Sequence, residues 1–587
     1  MAKMGKIFKI LKSNKLLLGI FIVSLFFRLY NISNVPYALD GDEAAFGYYG
    51  FSLLNNLSDE YGNKLPLYFP SIGDYKYPVY AYLTSIPVFV FGLNEFATRF
   101  ISALSGSILV LLIYLITSLL TKKKELGLIS AFVAACSPYG LIFSRGAYES
   151  NLSMLFITTG VFMILKYVNT TKSKFIYFSI IPFLLAVFTY SSARAFLLIF
   201  LPVLIGYLYF LFKPLKTKNL KNVFVVALII IIVSLVSFID PRSLVRAKSV
   251  GILSDPLNTT SLNEQILEDG RHSPGKYLQI TRFFHNKPVV YTLNFVKRYF
   301  EHFNPVYLFV ESNKSLNKYS VPGIGLFYFF EFFTILIGIG SLIKINKKLI
   351  IFPLWILVSV IPSALTIETP NPIRTLPGLP AWIILSSVGI FTIFSFFKKQ
   401  IKFVFALFGL MYLIGIAYFL HQYFIHDITH EPWYTDGGVK EMVIESTKLS
   451  ANFEKVIVPK DPYIFFLFYN KISPKDFLNN SDIKPESLGK WERVDRIGKF
   501  IFNMPTKCPK IGRKNVLYVC SGGDVPINGV VHKVIYFNDG TAAFSLIEFI
   551  PLSEVKKVEL PEGLNWMAET DKSYKESLLD ESSGRYW

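Results

Sequence analysis

Cysteine is nearly absent from this sequence. Three in 587 residues are too few for a disulfide-built scaffold. Histidine is also scarce, with seven in all and no spacing that reads as metal ligation. Charge is thin: Asp, Glu, Lys and Arg make up 17% of the chain, against roughly 25% in ordinary globular proteins. With 52% hydrophobic residues and 56 phenylalanines, disorder is excluded, and so is a string of ordinary soluble domains. The charge that exists is unbalanced, 60 basic against 41 acidic residues for a net +19. Such an excess is compatible with nucleic acid, but here it falls in short basic runs between long apolar segments. That is the pattern of a polytopic α-helical membrane protein with no nucleic-acid partner.

A helix crosses the hydrocarbon with about 20 mostly apolar residues. Eleven segments qualify: 15–33, 100–121, 126–143, 152–168, 175–192, 195–213, 223–239, 323–343, 349–366, 381–397 and 402–420. Basic connectors at 122–124, 166–174, 213–221, 344–348 and 398–402 alternate with longer ones, and the basic stretch 1–15 joins the same set. The positive-inside rule puts these in the cytoplasm. Outside it then lie 34–99, 144–151, 193–194, 240–322, 367–380 and everything after Tyr423. The stretch 31–38 offers no small-x-small cleavage site, so the first helix is expected to stay as an anchor. Residues 79–93 are apolar but short and interrupted by Pro87, which predicts a re-entrant or interfacial helix. Past 420 the texture alternates, as in Lys455-Val456-Ile457-Val458 and Val530-Val531-His532-Lys533-Val534. This predicts strands of a small extracytoplasmic α/β or α+β domain. The expected division is therefore 1–420 in the membrane and 421–587 outside, ending in a charged tail at 571–587.

The richest polar stretch follows the first helix: Asp40-Gly41-Asp42-Glu43, then Tyr48. Carboxylates this close repel one another unless they serve a cation, a base or a hydrogen-bonding substrate. The plain alternative is a solvated helix cap. The loop continues with Ser58-Asp59-Glu60-Tyr61 and Asp74-Tyr75-Lys76-Tyr77-Pro78. Further polar groups stand at outer helix ends: Arg145 with Glu149, Arg194, and Arg374. Each arginine alone reads as an interfacial anchor. Together they predict an outer-face cavity that holds an anionic lipid head group and activates a hydroxyl or amine. Lys76, Arg374, Arg145 and Arg194 would face that anionic group, with Asp40, Tyr48, Asp74, Tyr75 and Glu149 lining the rest. Cys508 and Cys520 share the outer domain, as a disulfide or as two free thiols, while Cys136 reads as packing. His285 and His302 fall in the long outer loop and read as surface residues.

At these residues the sequence resembles the GT-C membrane glycosyltransferases that use polyprenyl-phosphate sugars. The nearest branch holds the dolichyl-phosphate-mannose protein O-mannosyltransferases and the lipid A aminoarabinose transferase. The resemblance rests on Asp42-Glu43, Asp74-Tyr75-Lys76-Tyr77-Pro78, Asn94-Glu95-Phe96-Ala97-Thr98-Arg99, Arg145 with Glu149, and Arg374-Thr375-Leu376-Pro377, and spans about residues 10–425. It implies Asp42 as general base with Glu43 its neighbour, Lys76 and Arg374 on the donor phosphate, and Glu149 near the site. Two departures stand out. Asp40 turns the motif into Asp-x-Asp, so a divalent ion on Asp40, Asp42 and Glu149 stays open, although the chemistry requires no cofactor. Tyr77-Pro78 replaces a pair of prolines.

The expected activity is inverting transfer of a sugar, mannose by default, from a polyprenyl-phosphate donor. The acceptor would be a protein, glycan or lipid at the extracytoplasmic face of the plasma (inner) membrane. The competing reading is a transporter or flippase of a lipid-linked or anionic substrate. That would favour inverted repeats and charges at mid-span, and the spans at 223–239 and 381–397 carry none.

Overall fold

The structure, a computed structural model, describes residues 2–71, 74–212, 217–272, 277–312, 319–460, 463–485, 492–505 and 507–551. The charged tail 571–587 lies outside the described residues. The chain opens with α1 (Ala2–Leu29) and α2 (Gly41–Asn56), then a hairpin of β1 (Phe69–Ser71) and β2 (Asp74–Lys76). There follow α3 (Pro78–Phe91), α4 (Glu95–Thr121), α5 (Lys124–Cys136), α6 (Pro138–Arg145), α7 (Glu149–Thr170), α8 (Lys174–Phe178) and α9 (Ile180–Val187). Next come α10 (Ser191–Leu211), α11 (Thr217–Ile239), α12 (Pro241–Val250), α13 (Pro256–His272), α14 (Tyr277–Phe284), α15 (Lys287–Glu301) and α16 (Pro305–Phe309). The helical part ends with α17 (Glu331–Asn346), α18 (Ile351–Ala364), α19 (Pro372–Thr375), α20 (Leu379–Phe396) and α21 (Ile401–His421).

This is a mostly helical, multi-pass membrane protein. Among the described residues six helices are long and apolar enough to cross a membrane: α4, α7, α10, and the stretches 219–239, 372–396 and 398–426. A seventh is α5 with α6, bent by 53°. The bend has a local cause. Pro138 sits in the first turn of α6, which has no amide hydrogen to continue the ladder of α5, and Ser137 caps the new helix through Gly140. Of the other apolar segments, α1 runs 28 residues, whereas α17 has 16 and α18 has 14. The segment expected to be re-entrant or interfacial is α3, 14 residues with Pro87 inside.

After α21 the chain forms α22 (Val439–Leu449), β3 (Lys455–Pro459), α23 (Tyr463–Tyr469), α24 (Pro474–Asn480), β4 (Ser481–Pro485), β5 (Glu492–Ile497), β6 (Phe500–Met504), β7 (Val516–Ser521), β8 (Gly529–Tyr536) and β9 (Ala542–Phe549). The seven strands make one mixed sheet in the order β4-β5-β6-β3-β7-β9-β8. Central β3 runs parallel to both its neighbours, β6 and β7, and the outer pairs are antiparallel. Cys508 and Cys520 form a disulfide, which decides between the two readings left open above.

The sheet does not stand apart from the helices. One continuous apolar cluster runs from α2 through the bundle into α23 and β3. Contact is close because α2 presents glycines. A Cβ at Gly47 would fall 2.5 Å from the Phe468 ring, and one at Gly50 would meet the Ser85 amide at 3.0 Å. Tyr48, fully buried, donates its hydroxyl to the Ile472 carbonyl at 2.8 Å.

Candidate active site

The start of α2 is fixed by its own carboxylates. Asp40 accepts from the Glu43 amide at 2.9 Å, and Glu43 reaches back to the Asp40 amide, a reciprocal cap. The plain reading of Asp40 as a helix cap is therefore met. Glu43 does more. Its Oε1 accepts from Arg99 Nε at 2.9 Å and from the Ala147 amide at 2.6 Å, and its Oε2 accepts from Arg99 Nη2 at 2.7 Å. The Arg99 side chain is fully buried, so this pair exists only because the planar guanidinium meets the carboxylate with two bonds. The rest of Arg99 donates to the carbonyls of Ile32, Pro36 and Ala38. Arg145 completes the clamp, donating to the carbonyls of Phe27, Tyr30 and Val35 and lying over the rings of Tyr423 and Phe424. Two buried arginines thus hold the link between α1 and α2 by five of its carbonyls, with a sixth bond to Phe27 in the last turn of α1.

That framework leaves Asp42 turned the other way. Its side chain is 48% exposed, and its Oδ2 lies 3.0 Å from Nζ of Lys76, which is 5% exposed. Burial alone would lower the Lys76 pKa. The carboxylates of Asp42 and Glu149, and the hydrogen bond to Asp42, outweigh it and the net direction is up, so the ammonium persists. Lys76 is delivered by β2, opposite Phe69 in the hairpin.

A cavity of about 210 Å³ opens at this point. Asp40, Asp42 and Glu43 line one wall, Tyr148 and Glu149 a second, and Glu368, Asn371 and Arg374 a third, with Tyr190 and Tyr319 between them. Arg374 Nη2 pairs with Glu368 Oε2 at 2.9 Å, and its Nη1 donates to Thr366 Oγ1 at 2.6 Å. Its turn is set by Asn371, whose side chain accepts from the amides of Ile373 and Arg374. His302 stands behind that turn, within 2.7 Å of Ser363 Oγ and 3.4 Å of the Asn371 amide. It is buried, not the surface residue expected. Burial lowers its pKa to about 4, and its imidazole is neutral at pH 7.

Asp40, Asp42, Glu43, Glu149, Lys76 and Arg374 therefore come together as the sequence pattern predicts. Other expectations need correction. Arg194 does not line the cavity: it donates to the carbonyls of Val187 and Ser237 and to Ser243 Oγ, with its guanidinium over the Tyr77 ring. Arg145 is equally committed to backbone carbonyls. A guanidinium withdrawn from water is held first by the acceptors around it. Tyr48 belongs to the contact with Ile472, and Tyr75 is not in the cavity lining; it faces Pro70 in the hairpin register, as Asp74 faces Ser71. Glu368, Asn371, Tyr319 and Arg99 were not singled out for a role. Glu368 and Asn371 carried a weak signal as polar residues in a short outer connector, and Arg99 as the one basic residue in the first half of an otherwise apolar helix. Among the described residues no three His, Cys, Asp or Glu side chains are grouped to hold a metal ion.

The family model for dolichyl-phosphate-mannose-protein mannosyltransferases matches residues 75–239, and the resemblance read from the motifs is shown there. Among solved structures, the Archaeoglobus fulgidus oligosaccharyltransferase tethered with an acceptor peptide is 14% identical, with a TM-score of 0.48 over 78% of this chain and 63% of its own. ArnT from Cupriavidus metallidurans bound to undecaprenyl phosphate is 12% identical, with a TM-score of 0.46 over 79% of this chain and 85% of its own. The chain thus spans under two thirds of the length of the archaeal enzyme. No curated protein matches it in sequence.

Proposed function

We propose that this chain is an inverting glycosyltransferase that moves a sugar from a polyprenyl-phosphate donor to an acceptor hydroxyl or amine at the extracytoplasmic face. The observation that carries the reading is the half-exposed Asp42 carboxylate on the cavity wall, 3.0 Å from the buried Lys76 ammonium. A base and a cation side by side are what this chemistry needs. Asp42 accepts the proton of the acceptor as the acceptor atom bonds to the anomeric carbon. The bond from that carbon to the phosphate oxygen breaks, and the polyprenyl phosphate leaves with the electron pair. Lys76 and Arg374 stabilise the charge gathering on its oxygens. Direct displacement inverts the anomeric carbon. Glu43 acts as a positioning residue, because both its oxygens are bonded to Arg99.

The mechanism needs no metal ion, and mannose is the default sugar, on the strength of the family match over 75–239. The disulfide in the C-terminal sheet favours an oxidising compartment, hence the outer side of the membrane. The test is incubation of membranes holding the full chain or its Asp42→Asn variant with labelled polyprenyl-phosphate sugars. Label should pass to an acceptor fraction only with the unaltered chain. Equal labelling by both at equal expression would overturn the reading.

A further inference from the structure

A second cavity, of about 250 Å³, lies among α1, α5, α20 and α21, away from the site described above. Its walls are Leu16 and Ile20 of α1, Leu128, Ile129 and Phe132 of α5, Ile390 and Phe394 of α20, and Phe405, Phe408 and Gly409 of α21. Tyr412 closes the floor, its hydroxyl donated to Glu331 Oε1 at 3.1 Å so that only the ring is left for the cleft. α21 lies at the edge of the bundle, with only 17% of its apolar stretch covered by the rest of the protein. A Cβ on Gly409 would meet nothing within 4 Å.

The end of the cleft away from Tyr412 is basic on every side. Lys15 precedes Leu16 on α1, Lys123 and Lys124 open α5, and Lys398, Lys399 and Lys402 lie between Phe394 and Phe405. Lys123 lies over the Phe391 ring, and Lys398, Lys399 and Lys402 are exposed. From Lys402 to Tyr412 is ten positions of one helix, about 15 Å at 1.5 Å per residue, or half the hydrocarbon thickness of ~30 Å. The active cavity stands at the other ends of the same helices, beyond Leu29 of α1 and before Leu379 of α20.

We propose that this cleft binds one acyl chain of an anionic phospholipid from the leaflet on the lysine side, with the head group on Lys398, Lys399 and Lys402. An apolar slot one leaflet deep takes a single chain, and basic groups at the mouth of such a slot select a negatively charged head group. Because the cleft and the active cavity lie at opposite ends of α1 and α20, the occupant is distinct from the sugar donor.

The test is native mass spectrometry of the full chain in detergent with phosphatidylglycerol or phosphatidylcholine of identical chains, with polyprenyl phosphate as competitor. Phosphatidylglycerol should be retained in preference, and each lysine changed to Gln should lower that preference about fivefold. The triple variant K398Q/K399Q/K402Q should lose most of the preference, about a hundredfold, keeping only what Lys15, Lys123 and Lys124 supply. Gly409→Leu fills the slot and should reduce adducts of both lipids. Equal retention of the two lipids by the unaltered chain would overturn the proposal, as would displacement of phosphatidylglycerol by equimolar polyprenyl phosphate. Should Gly409→Leu fail to fold, the exposed lysine variant still decides: an undiminished preference there refutes the assignment.

Discussion

Replacing Arg99 by Met removes one partner of a buried ion pair. The structure predicts the consequence from what is left behind. Glu43 would keep the Ala147 amide and its own cap but lose both guanidinium bonds, while its side chain stays 5% exposed. The carbonyls of Ile32, Pro36 and Ala38 lose a donor in the same step. Stranding one member of such a pair costs about 3–5 kcal/mol. Domains of 150–250 residues shift by ~2–4 °C per kcal/mol, and a longer chain shifts less, so the apparent Tm should fall by roughly 5 °C. The informative variant is the double one, Arg99→Met with Glu43→Gln. If the loss comes from an uncompensated buried charge, neutralising Glu43 recovers about 2 kcal/mol of it. The assay is thermal unfolding of the purified chain in detergent, for both single variants and the double. A double variant no more stable than Arg99→Met alone would refute the reasoning, because it would mean that the carboxylate was never the burden.

Asp42→Asn should lower transfer by about 10²–10⁴-fold, whereas Asp40→Ala, which removes the helix-cap acceptor, should cost stability of about 1 kcal/mol and little rate. If chelator abolishes transfer and added Mg²⁺ or Mn²⁺ restores it, the metal-free mechanism fails. Lys76→Met and Arg374→Met should lower kcat/KM for the donor with acceptor KM nearly unchanged; an effect confined to the acceptor would contradict their assignment to phosphate. His302 has a folded pKa of about 4, below its ordinary 6.5. It therefore contributes stability present above pH 6.5 and lost as pH falls towards 4, about 3 kcal/mol in all. His302→Gln should flatten that part of the stability–pH curve, as chemical denaturation at pH 7 and pH 4.5 would reveal. A reporter that is active only in the cytoplasm, fused after Trp587, should stay silent.

Much of the helical part was legible because apolar runs of membrane length are a strong local signal. Where it was not, the cause is local chemistry that hydropathy averages away. Segment 126–143 reads as one span, yet Pro138 breaks it into α5 and α6 at 53°. The candidate site was legible as composition: Asp42, Glu149, Lys76 and Arg374 do meet at one cavity. What a single sequence cannot give is which polar group is consumed by the fold. Arg145 bonds to carbonyls more than a hundred positions away, at Phe27, Tyr30 and Val35. Its partners are backbone, which leaves no trace in residue identity. His302 was misplaced for a related reason, since burial is decided by α18 and the 363–371 turn packing over it.

The glycine face of α2 has a practical corollary. The helix that carries Asp42 is sandwiched, with α3 behind Gly50 and α23 against Gly47, while Lys440 of α22 pairs with Glu95 at 2.7 Å and Tyr423 covers Arg145. A stop codon near residue 420 would therefore not liberate a self-sufficient membrane part. It would leave the helix that carries Asp42 with a bare apolar flank and Tyr48 with no acceptor for its hydroxyl. Anyone trimming this chain for crystallisation should treat α23 and the sheet as the support behind the helix that carries Asp42, and look for tolerant cut sites elsewhere.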